Sequence, residues 1–338
     1  MARTVLLTGG AGYIGSHTYV ALIEAGYRVV ILDDFSNSKP SVIDRLARLT
    51  GQNRVRCVRA SILDRGALDA LFQTDHIQAV VHFAARKAVG ESVADPLSYV
   101  ETNVGGLTTL LQAMQAAGVR RLVFSSSATV YGEPDVHPTP ETAELKFTNP
   151  YGFTKLTCEH ILRQVEPTHP DWAIGILRYF NPVGAHPSGL IGEDPQGVPD
   201  NLMPYIARVA TGELPKLRVF GDDYDTPDGT GIRDYIHVCD LAEAHVRSLD
   251  TLFETGTGHC VNVGTGQGYS VLDMLAAYER ACGKKLPYEI VARRPGDVPI
   301  YLADPTLAKS VIGFEATRDL DAMCRDSWNW ITTGAHEA

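Results

Sequence analysis

Apolar residues in the first half of the chain fall into short runs separated by stretches with helical spacing. The runs Val5–Leu7, Val29–Leu32, Val55–Val58, Ala79–Phe83, Arg121–Ser125 and Ile174–Arg178 predict strands. Between them, Ser16–Ala25, Leu63–Gln73, Tyr99–Ala117 and Pro150–Glu166 predict helices. Strands alternating with helices build βαβ units, hence a parallel sheet with helices on both faces. Val29–Leu32 and Val80–Val81 are apolar without alternation, as strands covered on both sides require. The fold class expected is therefore α/β, with a doubly wound parallel sheet over residues 1–180. From Asn181 the texture changes. Asn181–Pro204 and Gly221–Gly231 are dense in turn residues but irregular, which marks functional loops rather than a flexible spacer. A further helix is expected after Ser270, whose hydroxyl can cap it while Asp273 reaches back. Residues 181–338 are expected to form a smaller mixed α/β lobe that holds substrate, with segments after residue 230 able to pack back onto the first.

Composition changes this picture little. The chain has 338 residues, 44% hydrophobic and 21% charged, which suits one large α/β domain with a smaller lobe. A net charge of −10 with no basic block argues against a nucleic-acid partner. No apolar run is long enough for a membrane span, and no charged leader precedes a long apolar stretch, so neither membrane nor secretory signal is expected. The six cysteines form no C-x-x-C pair and no His/Cys cluster has metal spacing. Unpaired thiols in the cytoplasm and no metal are the expectation.

The chemistry begins where Val5–Leu7 runs into Thr8-Gly9-Gly10-Ala11-Gly12-Tyr13-Ile14-Gly15. Glycines at 9, 12 and 15 permit a tight turn and let backbone approach a pyrophosphate, and the helix that follows offers it free N–H groups. At a first strand–helix junction this is the mark of a Rossmann-type dinucleotide site. Asp33 ends the second strand, 18 residues after Gly15. A carboxylate there accepts from ribose hydroxyls and repels a 2′-phosphate, which selects NAD over NADP. Downstream, Tyr151 and Lys155 stand at i and i+4, on one face of the predicted helix, with Pro150 suited to its first turn. An ammonium near a phenol is expected to lower the tyrosine pKa and make it a base toward an alcohol. The serine run Ser125-Ser126-Ser127, at a strand end, can offer a hydroxyl to the reacting oxygen.

Together these motifs resemble the extended short-chain dehydrogenase/reductase superfamily, and within it the UDP-glucose 4-epimerase family. The resemblance is carried further by His82–Ser92, Ser125–Gly132, Arg178–Pro187, Asp228–His237 and Arg293–Asp297, in the same order along the chain. It implies that Tyr151 is the base toward the sugar 4-hydroxyl, that Lys155 tunes it and holds the nicotinamide ribose, and that Ser127 polarises the reacting oxygen. Around the dinucleotide it places Gly9, Gly12, Tyr13, Ile14, Gly15, Asp33, Asp34, Phe35, Ser36, Asn37, Ser38, Ser61, Ile62, Phe83, Ala84, Ala85, Lys87, Thr102 and Phe180. Toward the UDP-sugar it places Lys87, Asn181, Asn201, Leu202, Arg218, Val219, Phe220, Arg233, Arg294, Asp297 and Tyr301, besides Ser127 and Tyr151. Guanidinium suits a diphosphate, because its bonds are charge-assisted and bidentate. Two positions depart from the pattern: Ser61 stands where an aspartate normally faces adenine, and Thr102 where an asparagine often lies near the cofactor.

The function implied is interconversion of UDP-galactose and UDP-glucose by transient oxidation at C4, rotation of the 4-keto sugar and return of the hydride. NAD would stay bound, and a homodimer would form through the helices near Tyr99–Ala117 and Pro150–Glu166. Tyr301 would crowd out an N-acetyl group at sugar C2. The nearest rival, a nucleotide-sugar 4,6-dehydratase, carries an Asp-Glu pair in the stretch matching Ser127-Ala128-Thr129, where this chain has no carboxylate. A non-catalytic NAD-sensing regulator would have no need of Tyr151, Lys155 and both arginines.

Overall fold

Strand β1 (Thr4–Thr8) is buried along its whole length, and its side chains divide between two cores. Val5 and Leu7 face one, packed with Tyr19, Leu22 and Leu249; Leu6 faces the other, with Leu68, Leu110 and Leu162. Burial on both faces is what the unalternating runs require. These cores belong to a computed structural model of the chain, in which residues 2–334 are described, except 196, 198, 295 and 296.

After β1 come α1 (Tyr13–Glu24), β2 (Arg28–Asp33), α2 (Ser41–Thr50), β3 (Arg56–Arg59), α3 (Arg65–Thr74) and β4 (Ala79–His82). The next helical stretch is broken. It runs through α4 (Val89–Ala94), α5 (Pro96–Tyr99), a π-turn over Val100–Gly105, and α6 (Gly106–Ala117). Then follow β5 (Arg121–Ser125), α7 (Pro150–Thr168), β6 (Ala173–Tyr179) and β7 (Asn181–Val183). The later elements are α8 (Leu202–Thr211), β8 (Leu217–Phe220), β9 (Ile232–His237), α9 (Val238–Thr255), β10 (His259–Val263) and β11 (Gly268–Ser270). The last are α10 (Val271–Cys282), β12 (Tyr288–Val291), β13 (Ile300–Tyr301), α11 (Thr306–Ile312) and α12 (Leu320–Thr332).

Seven parallel strands lie in the order β3-β2-β1-β4-β5-β6-β10, so the chain reverses direction across the sheet between β1 and β4. That switch point opens a crevice at the carboxyl ends of the strands, where doubly wound folds bind ligands. The six anticipated strands all lie in this sheet, with ends shifted by a residue or so. The predicted helix Tyr99–Ala117 differs, since its first turns take the wider π form before α6 begins. The helix expected after Ser270 is α10, with the Ser270–Asp273 capping box formed on both sides. Two elements from after residue 230, not drawn from the sequence as a helix and a strand, lie in the first layer: α9 packs on α1, and β10 joins the sheet beside β6. A third core is built from α8, α10, α12, β8 and β9.

Candidate active site

Helix α1 starts at Gly12 with no side chain capping it, so its first N–H groups face the crevice. Two glycines make that turn possible. A Cβ on Gly15 would come within 2.3 Å of the Gly9 carbonyl oxygen, and Gly9 itself has φ +69° against Ala84. Asp33 closes the neighbouring side. Its carboxylate accepts from Ala11 N (2.9 Å), Phe35 N (2.9 Å) and Ser38 Oγ (3.1 Å), shaping the loop that holds Asp34, Ser36 and Asn37. Burial pushes its carboxyl pKa up, against the pull of those bonds. The turn, its uncapped helix start and this carboxylate fit a dinucleotide without further adjustment. Ile62 is buried against Gly106, and the Ser61 hydroxyl accepts from Leu63 N at 3.2 Å, so Ser61 shapes its own turn. Phe83 turns its ring onto His245 (4.6 Å between centroids), leaving backbone and the small Ala84 and Ala85 toward the groove.

Tyr151 enters the crevice because Asn149 caps α7, accepting from Gly152 N at 2.9 Å, with Pro150 at the first position. Gly152 lets the helix press against the Ser127 turn, where a Cβ would stand 3.1 Å from Thr129 O. The Ser127 hydroxyl is near enough to the Tyr151 phenol to pull its pKa down. Lys155 Nζ lies 5.9 Å from the Tyr151 ring centre and donates to Ser125 O at 2.8 Å. The expected tuning of the tyrosine by this lysine is not what this geometry delivers. Burial, followed by Tyr179, drives the phenol pKa well above its ordinary value, and the Ser127 hydroxyl opposes the rise. Burial also lowers Lys155 to about 8, so its charge is weakly held and directed at a carbonyl.

Among the residues expected toward the UDP-sugar, Arg294 stacks on Phe220 (3.9 Å to the ring centre), and Arg218 lies on the same ring at 5.4 Å. Arg233 donates to Val298 O at 2.8 Å and pairs with Asp297 at 3.4 Å. The Val219 side chain is in the third core, so what it can present to a ligand is backbone. Asn181 opens β7, and Leu202 opens α8 after Asn201, whose amide donates to Glu193 at 2.9 Å. Tyr301 donates to Ala128 O and packs on the buried Phe180 ring at 5.3 Å, which locks it in place beside the Ser127 turn. Lys87 pairs with Glu193, and Tyr13 donates to Gly184 O (2.7 Å), joining the glycine turn to the segment after β7. Pro295 and Gly296, within the Arg293–Asp297 motif, lie outside the described residues.

Comparison with known proteins decides among the enzymes built this way. The family described as GDP-mannose 4,6 dehydratase matches residues 6–327. The UDP-glucose 4-epimerase of Bacillus subtilis is 53% identical over 332 residues, 98% of each chain. The crystal structure of the Stenotrophomonas maltophila UDP-glucose-4-epimerase with bound NAD and formylated UDP-arabinopyranose superposes with a TM-score of 0.97. It is 52% identical over 99% of this chain and 100% of that one. That of Bifidobacterium longum, in complex with NAD+ and UDP, gives 0.94 at 47% identity over 99% of both. The chain belongs to the UDP-glucose 4-epimerase family. The broader dehydratase match reflects the shared extended short-chain dehydrogenase/reductase fold.

Two groups of residues in this epimerase escaped the sequence reading. Asn103, beside the anticipated Thr102, is buried on the π-turn. Its amide accepts from Arg86 N (2.8 Å) and donates to Arg86 O (3.1 Å) and Thr154 Oγ1 (2.9 Å). It thereby ties the segment after β4 to the helix of Tyr151. The second group is a buried ion pair under the site. Arg178 Nη2 lies 2.5 Å from Glu159 Oε2, with both side chains wholly buried. Ser126 Oγ donates to Glu159 (2.6 Å), and Arg178 donates to Tyr131 OH (3.0 Å). This network fixes α7 to β6 and to the turn of Ser127.

Proposed function

We propose that this chain interconverts UDP-galactose and UDP-glucose by transient oxidation at sugar C4. What supports the reading is the family, together with Tyr151, Ser127 and Lys155 held close to one another at the ends of β5 and α7. NAD, when bound, supplies the hydride acceptor and a positively charged ring. Gly9, Gly12, Gly15 and Asp33 would hold it. Tyr151 takes the 4-hydroxyl proton as the C4 hydride departs, and Ser127 hydrogen-bonds the reacting oxygen. A neutral phenol raised by burial needs positive charge in the site to act as a base. Lys155, whose Nζ lies 5.9 Å from the Tyr151 ring centre, is the residue we assign to supply part of that charge. The arginines and Phe220 anchor UDP while the 4-keto sugar turns over. Because hydride returns to the opposite face, no net oxidant is consumed.

Tyr301, fixed by Phe180 and Ala128 O, is placed to exclude an N-acetyl group at sugar C2. Val93, Leu97, Val100 and Phe153 are apolar, exposed and carried on α4, α5, the π-turn and α7. Such a patch supports a homodimer through this face. The six cysteines are unpaired, which supports a cytoplasmic setting. Protein shown to carry NAD should convert UDP-galactose to UDP-glucose with no NAD added. No conversion by such protein would contradict the proposal.

A further inference from the structure

Two consecutive carboxylates reach opposite flanks of the glycine turn. Asp194 Oδ2 lies 2.7 Å from Lys39 Nζ, on the loop that follows β2. Glu193 Oε1 lies 3.3 Å from Lys87 Nζ, on the segment that follows β4. β2 and β4 are the two neighbours of β1, so the pairs straddle the turn between β1 and α1. The segment bearing the carboxylates is tied to α8 and α12. Trp330 Nε1 donates to Glu193 O at 3.1 Å, Arg208 Nη2 to Pro195 O at 3.0 Å, and Asn201 Nδ2 to Glu193 Oε1 at 2.9 Å. Gly192 lies against the Trp330 indole, where a Cβ would come within 2.5 Å. Glu193 is near enough to the Tyr13 phenol to add to the rise that burial causes in its pKa.

We propose that Gly192–Pro195 is a strap that closes across the dinucleotide groove and holds NAD there between turnovers, fastened by Asp194–Lys39 on one flank and Glu193–Lys87 on the other. A redox-neutral reaction has no use for cofactor exchange, so slowing release carries no penalty in turnover. The partners are partly exposed, with Glu193 at 10% and Lys39 at 46%. Each pair is therefore a weak, salt-sensitive fastener, and the two act together because one rigid segment carries both carboxylates.

The inference rests on the glycine turn holding NAD. Holoenzyme purified with its NAD is mixed with an NAD glycohydrolase that destroys released cofactor, and protein-bound NAD is followed by mass spectrometry. Glu193→Gln with Asp194→Asn should release NAD roughly tenfold faster than the unaltered enzyme. Raising salt from about 0.02 M to about 0.5 M should speed the unaltered enzyme toward that rate and leave the double variant unchanged. Lys39→Asp with Asp194→Lys should restore slow release in the presence of Glu193. An unchanged rate in the double variant, or a charge swap that stays fast while melting normally, would overturn the strap. Protein that carries no NAD at all would instead contradict the cofactor site itself.

Discussion

Replacing Arg178 by Met tests whether the catalytic helix is held by the ion pair beneath it. The change removes the three guanidinium hydrogen bonds to Glu159 and leaves that carboxylate wholly buried, with Ser126 Oγ and the half-exposed Arg163, 3.3 Å away, as its remaining partners. Tyr131 OH and Glu141 O lose a donor as well. Breaking a buried pair on one side costs about 3–5 kcal/mol. For a chain of this size that corresponds to a fall in Tm of roughly 4–7 °C. Glu159→Leu combined with Arg178→Met removes the stranded charge, so most of the loss should return. What persists is the unsatisfied Ser126 hydroxyl, at about 1–3 kcal/mol. Urea unfolding at a fixed saturating NAD concentration gives the four corners of the cycle, with cofactor stabilisation held constant. The expected coupling is above about 2 kcal/mol. Single variants that each cost under about 1 kcal/mol, or a double variant that loses their sum, would show that the pair does not hold α7.

Other consequences follow from the same geometry. Tyr151→Phe should lower kcat by about 10²–10⁴ while keeping bound NAD, because the base is lost and the groove is intact; NAD content and rate measured together check it. Gly15→Ala should yield protein without NAD, since the new Cβ would lie 2.3 Å from Gly9 O, and the absorbance of the purified protein reports it. Lys155 titrates near 8 when folded and near 10.5 when unfolded. Below both values its buried charge opposes folding in full, and the penalty, about 3 kcal/mol, fades as pH rises from about 8 to about 10.5. Relative to Lys155→Met, the NAD-free enzyme should therefore gain stability across that window; a difference flat in pH would refute the burial of the ammonium. Leu97→Asp should halve the mass of the particle in sedimentation if the exposed apolar face joins two copies.

The strands and the glycine turn were readable because they depend on local pattern: uninterrupted apolar runs, and glycines where any Cβ would collide. Strand β10 was not, because it enters the sheet from late in the chain and pairs with β6 some 80 residues earlier. Tyr151 and Lys155 were readable from their spacing, but the effect of one on the other was not. The direction of Lys155 toward Ser125 O is set by the fold rather than by four residues of separation. Thr102 was singled out by resemblance, whereas the π-turn places its neighbour Asn103 in the hydrogen-bonding position. Glu159, Arg178, Glu193 and Asp194 look in sequence like ordinary surface charges. Only the tertiary contacts bury the first two and set the others across the groove.

Deuterium at C4 follows the central step directly. UDP-galactose labelled with deuterium at sugar C4 and incubated in ordinary water with the NAD-bearing enzyme should give UDP-glucose that retains the label at C4, seen by mass spectrometry and proton NMR. Label lost to solvent, or product formed with no isotope effect and no C4 deuterium, would contradict oxidation and hydride return at that carbon.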